Sequence, residues 1–470
     1  MKKTSQILLA LCVGAPLMAQ APAVSFYGVL DTGVAHVDRA LNFSDDFVTG
    51  SSPLVQKGVK TGATGMFNGG NSQTRVGVKG SADLGDGWKG LFQLESALNL
   101  PSGRISSAAE SLAENGGKST SVNSAISGQL YNRGAFIGVS HDTYGALTFG
   151  RQQALLLDIM PSYDANGLAQ LFTPTGFIGS IAGGGVTENS RVDNAIKYRV
   201  KVAGAVTVSA LYKVSGTKGP DATADSRASQ VSVEYNQGPL GVFAAYQILT
   251  NGITYAANAN GSSVTVVTNI GNPTGTPVVP PTTATIIVPS TIKATVLDTT
   301  TIHLGAKYKI GNVLIVGQYQ QIKFEDPTAG DAAYFSGLAA GSQYAFGQQV
   351  ASFTVNSIGP NATKKQTLTS LGAGWDITSK LKLSASYYLV KVDDFSQPGT
   401  PAINAKGSMQ TAYTSLFANY AWAKALDLYA GIMGVKASGN AVDDPSLGYV
   451  SAAGDTRNNA IYGAGLRFKF

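Results

Sequence analysis

The most regular feature of the sequence is an alternation of apolar and polar residues. In the last segment, from Tyr462 to Phe470, the even positions are mostly apolar, and the odd positions carry glycine, Arg467 or Lys469. Alternation with period two places side chains of opposite character on the two faces of a β-strand. A strand of about ten residues with one apolar and one polar face is the unit of a transmembrane β-barrel.

About sixteen segments of this kind can be assigned, each bounded by residues that favour turns. The first begins close to the N-terminus, and the last ends at the C-terminal residue. The predicted strands are Ser25–Asp38, Ser72–Leu84, Trp88–Leu98, Tyr131–His141, Ala146–Gln153, Asp193–Val202, Ala205–Val214, Ser229–Asn236, Leu240–Leu249, Thr300–Ile310, Val313–Phe324, Lys365–Ile377, Leu381–Asp393, Gln410–Ala423, Leu426–Lys436 and Asn459–Phe470.

The connections between these strands alternate between tight and long. The tight ones are Gly85-Asp86-Gly87, Thr143-Tyr144-Gly145, Ala203-Gly204, Gln237-Gly238-Pro239, Gly311-Asn312, Thr378-Ser379-Lys380 and Lys424-Ala425. A soluble all-β protein has no reason to keep its long loops at one rim, whereas outer-membrane barrels have short periplasmic turns and long extracellular loops. We therefore predict an all-β fold, an antiparallel transmembrane β-barrel of about 16 strands with both termini in the periplasm.

The tryptophans support this prediction. Trp88, Trp375 and Trp422 each lie beside a tight turn, at positions whose parity matches the outward face. Aromatic side chains of this kind are enriched where a membrane meets water. The alternative is that they are ordinary core tryptophans, which would then share one end of the strands by chance.

The first residues indicate export. Two lysines precede a short apolar stretch, and Ala21-Pro22-Ala23 offers small residues at a cleavage site. We predict a secretory signal peptide over residues 1–23 and a mature barrel over residues 24–470, with cleavage before Val24. Because the only cysteine, Cys12, lies in the signal peptide, the mature chain has no disulfide.

Composition excludes some classes of function. The formal net charge is +6, and removal of the two lysines of the signal peptide leaves 6 − 2 = +4. This excess is too small to indicate nucleic-acid binding. No apolar run after the signal peptide reaches the length of about 18 residues that a membrane-spanning helix needs.

A barrel of this size leaves an aqueous channel, so inward positions should be polar. Parity places several cationic side chains inside, because a cation on the lipid face costs about 2–4 kcal/mol at the bilayer midplane. These are Arg75 and Lys79 on the second strand, Lys197 and Arg199 on the sixth, and Lys307 on the tenth. Rows of cations concentrate anions, so we predict a mild preference for anions.

The third long connection, residues 154–192, is predicted to narrow the channel. Its leucine-rich start, Leu155-Leu156-Leu157, would be costly to expose on an outside loop. Folding into the barrel would bury it and present Asp158 and Asp164 to the lumen, opposite the wall cations. A plain surface loop is the alternative.

The fifth long connection, residues 250–299, is rich in Thr, Val, Pro and Asn and has almost no charge. It is compatible with an extra extracellular hairpin, with a cover over the channel mouth, with a contact to a neighbour, or with a flexible loop. The sequence does not decide between these.

Several segments resemble the general porins of Gram-negative bacteria, of the β-proteobacterial type. The resemblance extends over nearly the whole mature chain and keeps the family's order. The segments are Val24–Asp31, Ser72–Gly80 with Asp83-Leu84-Gly85, Tyr131-Asn132-Arg133, Leu147–Gln152, Arg191–Tyr198 and Gly465–Phe470.

The resemblance implies a homotrimeric diffusion porin whose third loop forms the constriction. Asp158 then matches an acidic constriction position, and Arg75, Arg133 and Arg151 match arginines of the wall. The terminal Phe470 would be the signal read by the barrel assembly machinery. The remaining expected partners are outer-membrane lipid and lipopolysaccharide. The third loop is richer in leucine and glycine than the family pattern, and the fifth loop is longer.

Three other functions are weighed against a passive channel for small hydrophilic solutes. A substrate-specific channel for small organic anions also suits a basic lumen. An enzyme is poorly supported, because the three histidines lie on separate strands and no Gly-x-Ser-x-Gly or metal-ligand spacing occurs. We expect no catalytic residues, metal or cofactor. An adhesin rests only on the long loops.

Overall fold

A computed structural model describes thirteen ranges of the chain. These are residues 23–38, 62–106, 129–176, 190–214, 227–250, 254–257, 263–267, 283–287, 292–295, 298–325, 364–395, 407–439 and 458–470. The predicted signal peptide lies outside them apart from Ala23, which begins the first strand, and it stays a prediction.

The described residues form strands with one short helix. The strands are β1 Ala23–Val37, β2 Ala63–Asn68, β3 Arg75–Gly85, β4 Trp88–Ala97, β5 Gly134–His141, β6 Gly145–Gln153, β7 Arg191–Val202, β8 Val206–Lys213, β9 Arg227–Gln237, β10 Leu240–Thr250, β11 Thr254–Ala257, β12 Ser263–Val267, β13 Thr283–Ile287, β14 Ile292–Thr295, β15 Asp298–Ile310, β16 Val313–Glu325, β17 Lys364–Asp376, β18 Leu381–Phe395, β19 Gly407–Ala423, β20 Leu426–Gly439 and β21 Asn458–Lys469. The helix α1 is Leu155–Ile159, and 3₁₀ turns follow at Met160–Ser162 and Pro174–Gly176. None of the helices in the described parts of the chain is long and apolar enough to span a membrane.

The main sheet closes on itself. Successive strands pair antiparallel from β3 to β10 and from β15 to β21, and β10 pairs with β15. The first strand pairs with β3 through Ala23–Val29 and with the last strand through Val29–Val37, which closes the barrel. The predicted fold is therefore confirmed as a closed antiparallel barrel of 16 strands, with β2 as an extra strand.

The predicted tight turns join the strands at one rim. Asp86 and Gly87 have φ angles of 51° and 79°, and Ala203 and Gly204 have φ angles of 51° and 72°. Left-handed residues in pairs give the two-residue turn whose twist suits antiparallel strands. The strand ends that the long connections join consequently lie at the opposite rim, as predicted.

The outer face of the barrel is apolar, and the tryptophans lie on it. Trp88, Trp375 and Trp422 are 36%, 53% and 61% exposed and stand next to tight turns. Exposed Leu, Ile, Val, Tyr and Phe side chains alternate with inward residues along most strands. This is the surface that a strand needs to face lipid.

Strands that the sequence analysis did not predict occur in two long connections. The strand β2 lies in the first, and it continues the ladder along β1 from Thr32 to Val37. Within residues 250–299, β11 pairs with β14 and β12 pairs with β13. These nested antiparallel pairings are the pattern expected of an extra hairpin, which is the first of the four alternatives.

Candidate functional site: the inner face of the barrel

The third loop begins against the inner face of β8, β9 and β10. Leu155 lies in a buried apolar cluster with Leu211 and Leu249, which point inward from β8 and β10. Further along, Met160 and Tyr163 belong to a cluster with Phe243 of β10. The apolar start of the loop is thus buried inside the barrel.

The second half of the described loop packs against a different part of the inner face, far from β8, β9 and β10 along the sheet. Leu171 and Phe172 are fully buried in a cluster built from inward side chains of β18, β19 and β20. The ring of Phe172 lies 5.3 Å from that of Phe417, measured between centroids. The loop therefore follows the inner face from β8 to the seam of the barrel, where β21 pairs with β1.

Buried hydrogen bonds fix the loop to the wall along this path. At its start, the Leu155 N–H donates to Gln230 Oε1 at 2.8 Å. Asn166 donates to Ser415 Oγ at 3.0 Å and accepts from Ser384 Oγ at 2.8 Å. A polar group buried without such partners would cost about 1–3 kcal/mol, so these bonds determine where the loop can rest.

Asp164 is part of this attachment and is only 3% exposed. Its Oδ2 accepts hydrogen bonds from Tyr388 at 2.6 Å and Thr173 at 3.2 Å, and its Oδ1 accepts one from the Asn166 N–H at 2.9 Å. Burial raises the pKa of Asp164 above its ordinary value, although these hydrogen bonds act in the opposite direction. This placement differs from the sequence prediction, which put the Asp164 carboxylate at the open channel. The reason is that Tyr388 on the wall strand β18 and Thr173 within the loop both donate to it there.

Tyr163 marks the middle of the loop. The Lys307 ammonium lies 4.5 Å from the centroid of its ring, so this predicted lumen cation contacts the loop. The Tyr163 carbonyl accepts a hydrogen bond from Gln318 at 2.9 Å. Burial raises the pKa of Tyr163 to about 12, so its hydroxyl stays neutral.

The uncovered half of the inner face carries a cluster around Glu95. Arg133 Nε lies 2.7 Å from Glu95 Oε1, and Arg75 Nε lies 3.6 Å from Oε2. The Tyr27 hydroxyl also donates to Oε2, at 2.9 Å. Lys79 lies in the same area, with its Nζ 5.0 Å from the centroid of the Tyr27 ring. Two arginines therefore share one carboxylate on this wall.

One ion pair joins the third loop to the uncovered wall. Lys197 Nζ contacts Asp158 Oδ2 and also donates to the Gln153 carbonyl at 3.2 Å. On the same strand, Arg199 Nη2 lies 3.1 Å from Glu234 Oε1, and its side chain stays 45% exposed. The carboxylate of Asp158 is therefore already paired with the wall cation Lys197.

A cavity of about 460 Å³ lies between the start of the third loop and this wall. Its lining contains four cationic side chains and two carboxylates, so the lining has a net formal charge of 4 − 2 = +2. The charged residues are Arg75, Arg133, Lys197, Arg199, Glu95 and Asp158.

The other predicted site residues lie outside this cavity. Arg151 bonds to Asp193 Oδ1 at 2.5 Å and to the Asn132 carbonyl, and Lys79, Lys307 and Asp164 have the positions given above. Among the described residues, no group of three His, Cys, Asp or Glu side chains is arranged to hold a metal ion.

Comparison with known proteins identifies the family. A family model described as Gram-negative porin matches residues 8–440 of the chain.

The chain belongs to the Gram-negative porin family.

This family consists of channel proteins of the outer membrane and not of enzymes, in agreement with the sequence analysis.

Relatives and solved structures agree with this family. An outer membrane porin of Bordetella pertussis is 32% identical over 53% of this chain and 60% of its own length, so the match covers less than two thirds of that relative. An outer membrane porin of Delftia acidovorans is 24% identical over 72% of this chain and 76% of its own length.

Among solved structures, an anion-selective porin from Comamonas acidovorans shares the fold. It has a TM-score of 0.56 and 19% identity, and the alignment covers 96% of this chain and 100% of that chain. The outer membrane protein OmpT of Vibrio cholerae has a TM-score of 0.53 and 18% identity, with 96% and 98% of the two chains covered.

Sequence reasoning missed the contacts of three residues on this porin's inner face. Glu95 and Glu234 hold wall arginines, and Arg191 is 5% exposed and donates to Gln73 Oε1 at 3.1 Å. Parity alone shows that Glu95 faces inward, because it alternates with outward Leu94. Which arginines it meets depends on the positions of β3 and β5, which period-two patterning does not give.

Proposed function

We propose that this porin is a passive diffusion channel for small hydrophilic solutes and ions, with a mild preference for anions. The observation that carries this proposal is the state of the carboxylates beside the cavity. Asp158 is paired with Lys197, and Glu95 is paired with Arg133.

With these two carboxylates paired, the cavity lining keeps an excess of positive charge. Arg199 stays 45% exposed although it is paired with Glu234, and Lys79 is exposed. Asp164, which would oppose them, is buried against Tyr388, and burial raises the pKa of its carboxyl. A lining with an excess of positive charge raises the local concentration of anions. We propose residues 154–192 as the constriction loop, and this rests on the contacts of residues 154–176.

The test is the reversal potential of the purified protein in a planar bilayer under a KCl gradient. We expect a potential of the sign that chloride permeation gives. A potential of the opposite sign would show that the loop carboxylates dominate and would overturn the charge argument.

A channel selective for small organic anions is the second candidate. The cavity lining adds three glutamines and Phe136 to the cations, a set that could contact a carboxylate and its carbon skeleton together. Flux of a di- or tricarboxylate that saturates, with block of the chloride current at the same concentration, would favour this candidate. Linear flux would favour passive diffusion.

The assembly of the porin is proposed from resemblance. We propose a homotrimer whose outer face contacts outer-membrane lipid and lipopolysaccharide, to be tested by light scattering in detergent and by lipid analysis. We also propose that the barrel assembly machinery reads Phe470. Its ring is 47% exposed, and its backbone N–H and C=O bond to Gly28 at 3.1 and 3.0 Å. Deletion of Phe470 should then lower the assembled amount in cells without changing the conductance of refolded channels.

A further inference from the structure

The wall of the barrel is interrupted beside β1. This strand pairs with β2 from Thr32 to Val37 and with β3 from Ala23 to Val29. Between β2 and β3, residues 69–74 have no strand assignment and depart from the ladder at the level of Asp31. We call residues 69–74 the inner segment.

The side chain of Asp31 holds the inner segment by its backbone. Its Oδ2 accepts hydrogen bonds from the Asn71 N–H at 3.1 Å and the Ser72 N–H at 2.7 Å, and its Oδ1 accepts one from the Tyr429 hydroxyl. The residue is 0% exposed. A buried carboxylate is stable only when its oxygens are satisfied, so this arrangement specifies the position of the inner segment closely.

The partners of the inner segment show that it lies on the luminal side. Asn71 donates to Asn419 Oδ1 at 2.9 Å, and Arg467 lies 3.5 Å from Ser72 Oγ. Asn419 and Arg467 alternate with the exposed outward residues of β19 and β21, so they point inward. The inner segment therefore covers part of the inner face near the seam.

The inner segment also contacts the third loop and the cationic wall. The Gly70 carbonyl accepts a hydrogen bond from the Leu171 N–H at 2.9 Å, next to the point where Phe172 is buried. At its other end, Gln73 accepts from Arg191 at 3.1 Å and, through its carbonyl, from Arg75 at 2.9 Å. It thus joins the covered and the uncovered halves of the inner face.

Gly70 has no room for a side chain. A Cβ atom there would lie 2.7 Å from the Tyr429 hydroxyl and would also meet the ring of Phe67. The close approach lets the backbone of the inner segment reach Leu171, so the contact with the third loop depends on this glycine.

We propose that the inner segment is a second constriction element, and that Asp31 is the positioning residue that holds it and the end of the third loop. The width of the channel is then set by two elements that meet at the bond between Gly70 and Leu171. This proposal depends on the chain being a channel and is independent of the preference for anions.

The first test compares Asp31→Ala with the control Asp376→Asn, which changes an exposed carboxylate at the end of β17. Liposome swelling with arabinose, raffinose and stachyose measures the size limit, and single-channel recording measures conductance and closures. We expect Asp31→Ala to admit the larger sugars several-fold faster relative to arabinose and to add closures, with the control unchanged. A folded Asp31→Ala channel with the parental size limit and closure frequency would overturn the proposal.

Two milder variants decide the matter if Asp31→Ala does not fold. Tyr429→Phe removes one donor to Asp31 and keeps the ring, and Asn71→Ala removes the bond to Asn419. Both should shift the sugar size limit in the same direction by a smaller amount. Parental behaviour of both would overturn the proposal.

A third measurement tests whether the inner segment lines the channel. The variant Ser72→Cys, in a background without Cys12, provides a single thiol in the inner segment. A charged methanethiosulfonate reagent should lower its single-channel current in steps, while a cysteine at the exposed outward position Leu371 should not respond. Unchanged current after labelling verified by mass spectrometry would overturn the luminal placement.

Discussion

The two halves of the inner face follow the same alternation but carry different side chains. From β3 to β7 the inward positions include Arg75, Glu95 and Lys197, which remain beside an open cavity. From β18 to β20 they include Tyr388 and Phe417, which are buried under the third loop. The type of side chain at an inward position of this porin therefore depends on whether the third loop covers that position.

The physical reason is that the two halves differ in their access to solvent. A charged side chain under the loop would lose its water and would cost several kcal/mol unless it were paired. Aromatic and hydroxyl side chains there fill space and bond to the loop instead. On the open half, carboxylates on the wall and the loop pair with the cations, so charge can accumulate.

The largest effect is expected from removing the attachment of the loop on the covered half. Asn166→Leu leaves Ser384, Ser415 and the Phe172 carbonyl without their partner, at about 1–3 kcal/mol for each buried group. We expect frequent closures or a second conductance level in single-channel recordings. The control Asn312→Ala, in a tight turn, should behave like the parent. A quiet Asn166→Leu channel would show that apolar packing alone holds the loop.

The next effect concerns the ion pair between the two halves. A unit charge about 10 Å from a permeating ion in water contributes ~0.4 kcal/mol, with opposite sign for an anion and a cation, so their permeability ratio changes by about fourfold. Lys197→Met should therefore lower the ratio of chloride to potassium permeability, and Asp158→Asn should raise it. The reversal potentials of both variants and of the double variant measure this.

The control for this pair is Lys201→Met on the same strand, which should change the permeability ratio less because Lys201 does not line the cavity. If Lys197→Met and Asp158→Asn moved the ratio in the same direction, the pair would not act through its charge.

A smaller effect is expected at Glu95. Glu95→Gln keeps the shape of the side chain and an acceptor for Arg133, but removes the charge that Arg75 and Arg133 share. The preference for anions should rise, by at most about twofold. Reversal potentials would measure it, with Glu325→Gln at the extracellular end of β16 as the control. A fall in anion preference would indicate that the released arginines had left the channel.

The smallest effect is a dependence on pH. The pKa of Asp164 is raised when the loop is docked, so docking is most favourable at acidic pH and weakens as pH rises through that raised pKa. Closures should thus become more frequent toward neutral pH. Asp164→Asn keeps a hydrogen-bonding group and should remove this part of the dependence. An identical pH profile in parent and variant would contradict the role of Asp164.

Much of the fold could be predicted from the sequence, because strands that face lipid must alternate and tight turns need particular residues. The strand β2 was missed because Ala63–Asn68 contains glycine and shows no clear alternation. At the site, parity identified the inward cations. It did not give the burial of Asp164 or the pairs of Glu95, because both depend on contacts between residues far apart in the sequence.

Anions are expected to pass along the uncovered half of the inner face. The most direct measurement is anomalous diffraction from crystals of the porin soaked in bromide and, separately, in rubidium. We expect bromide peaks beside Arg75, Lys197 and Arg199, with none between the third loop and β18. Rubidium peaks at the cavity, without bromide there, would contradict it.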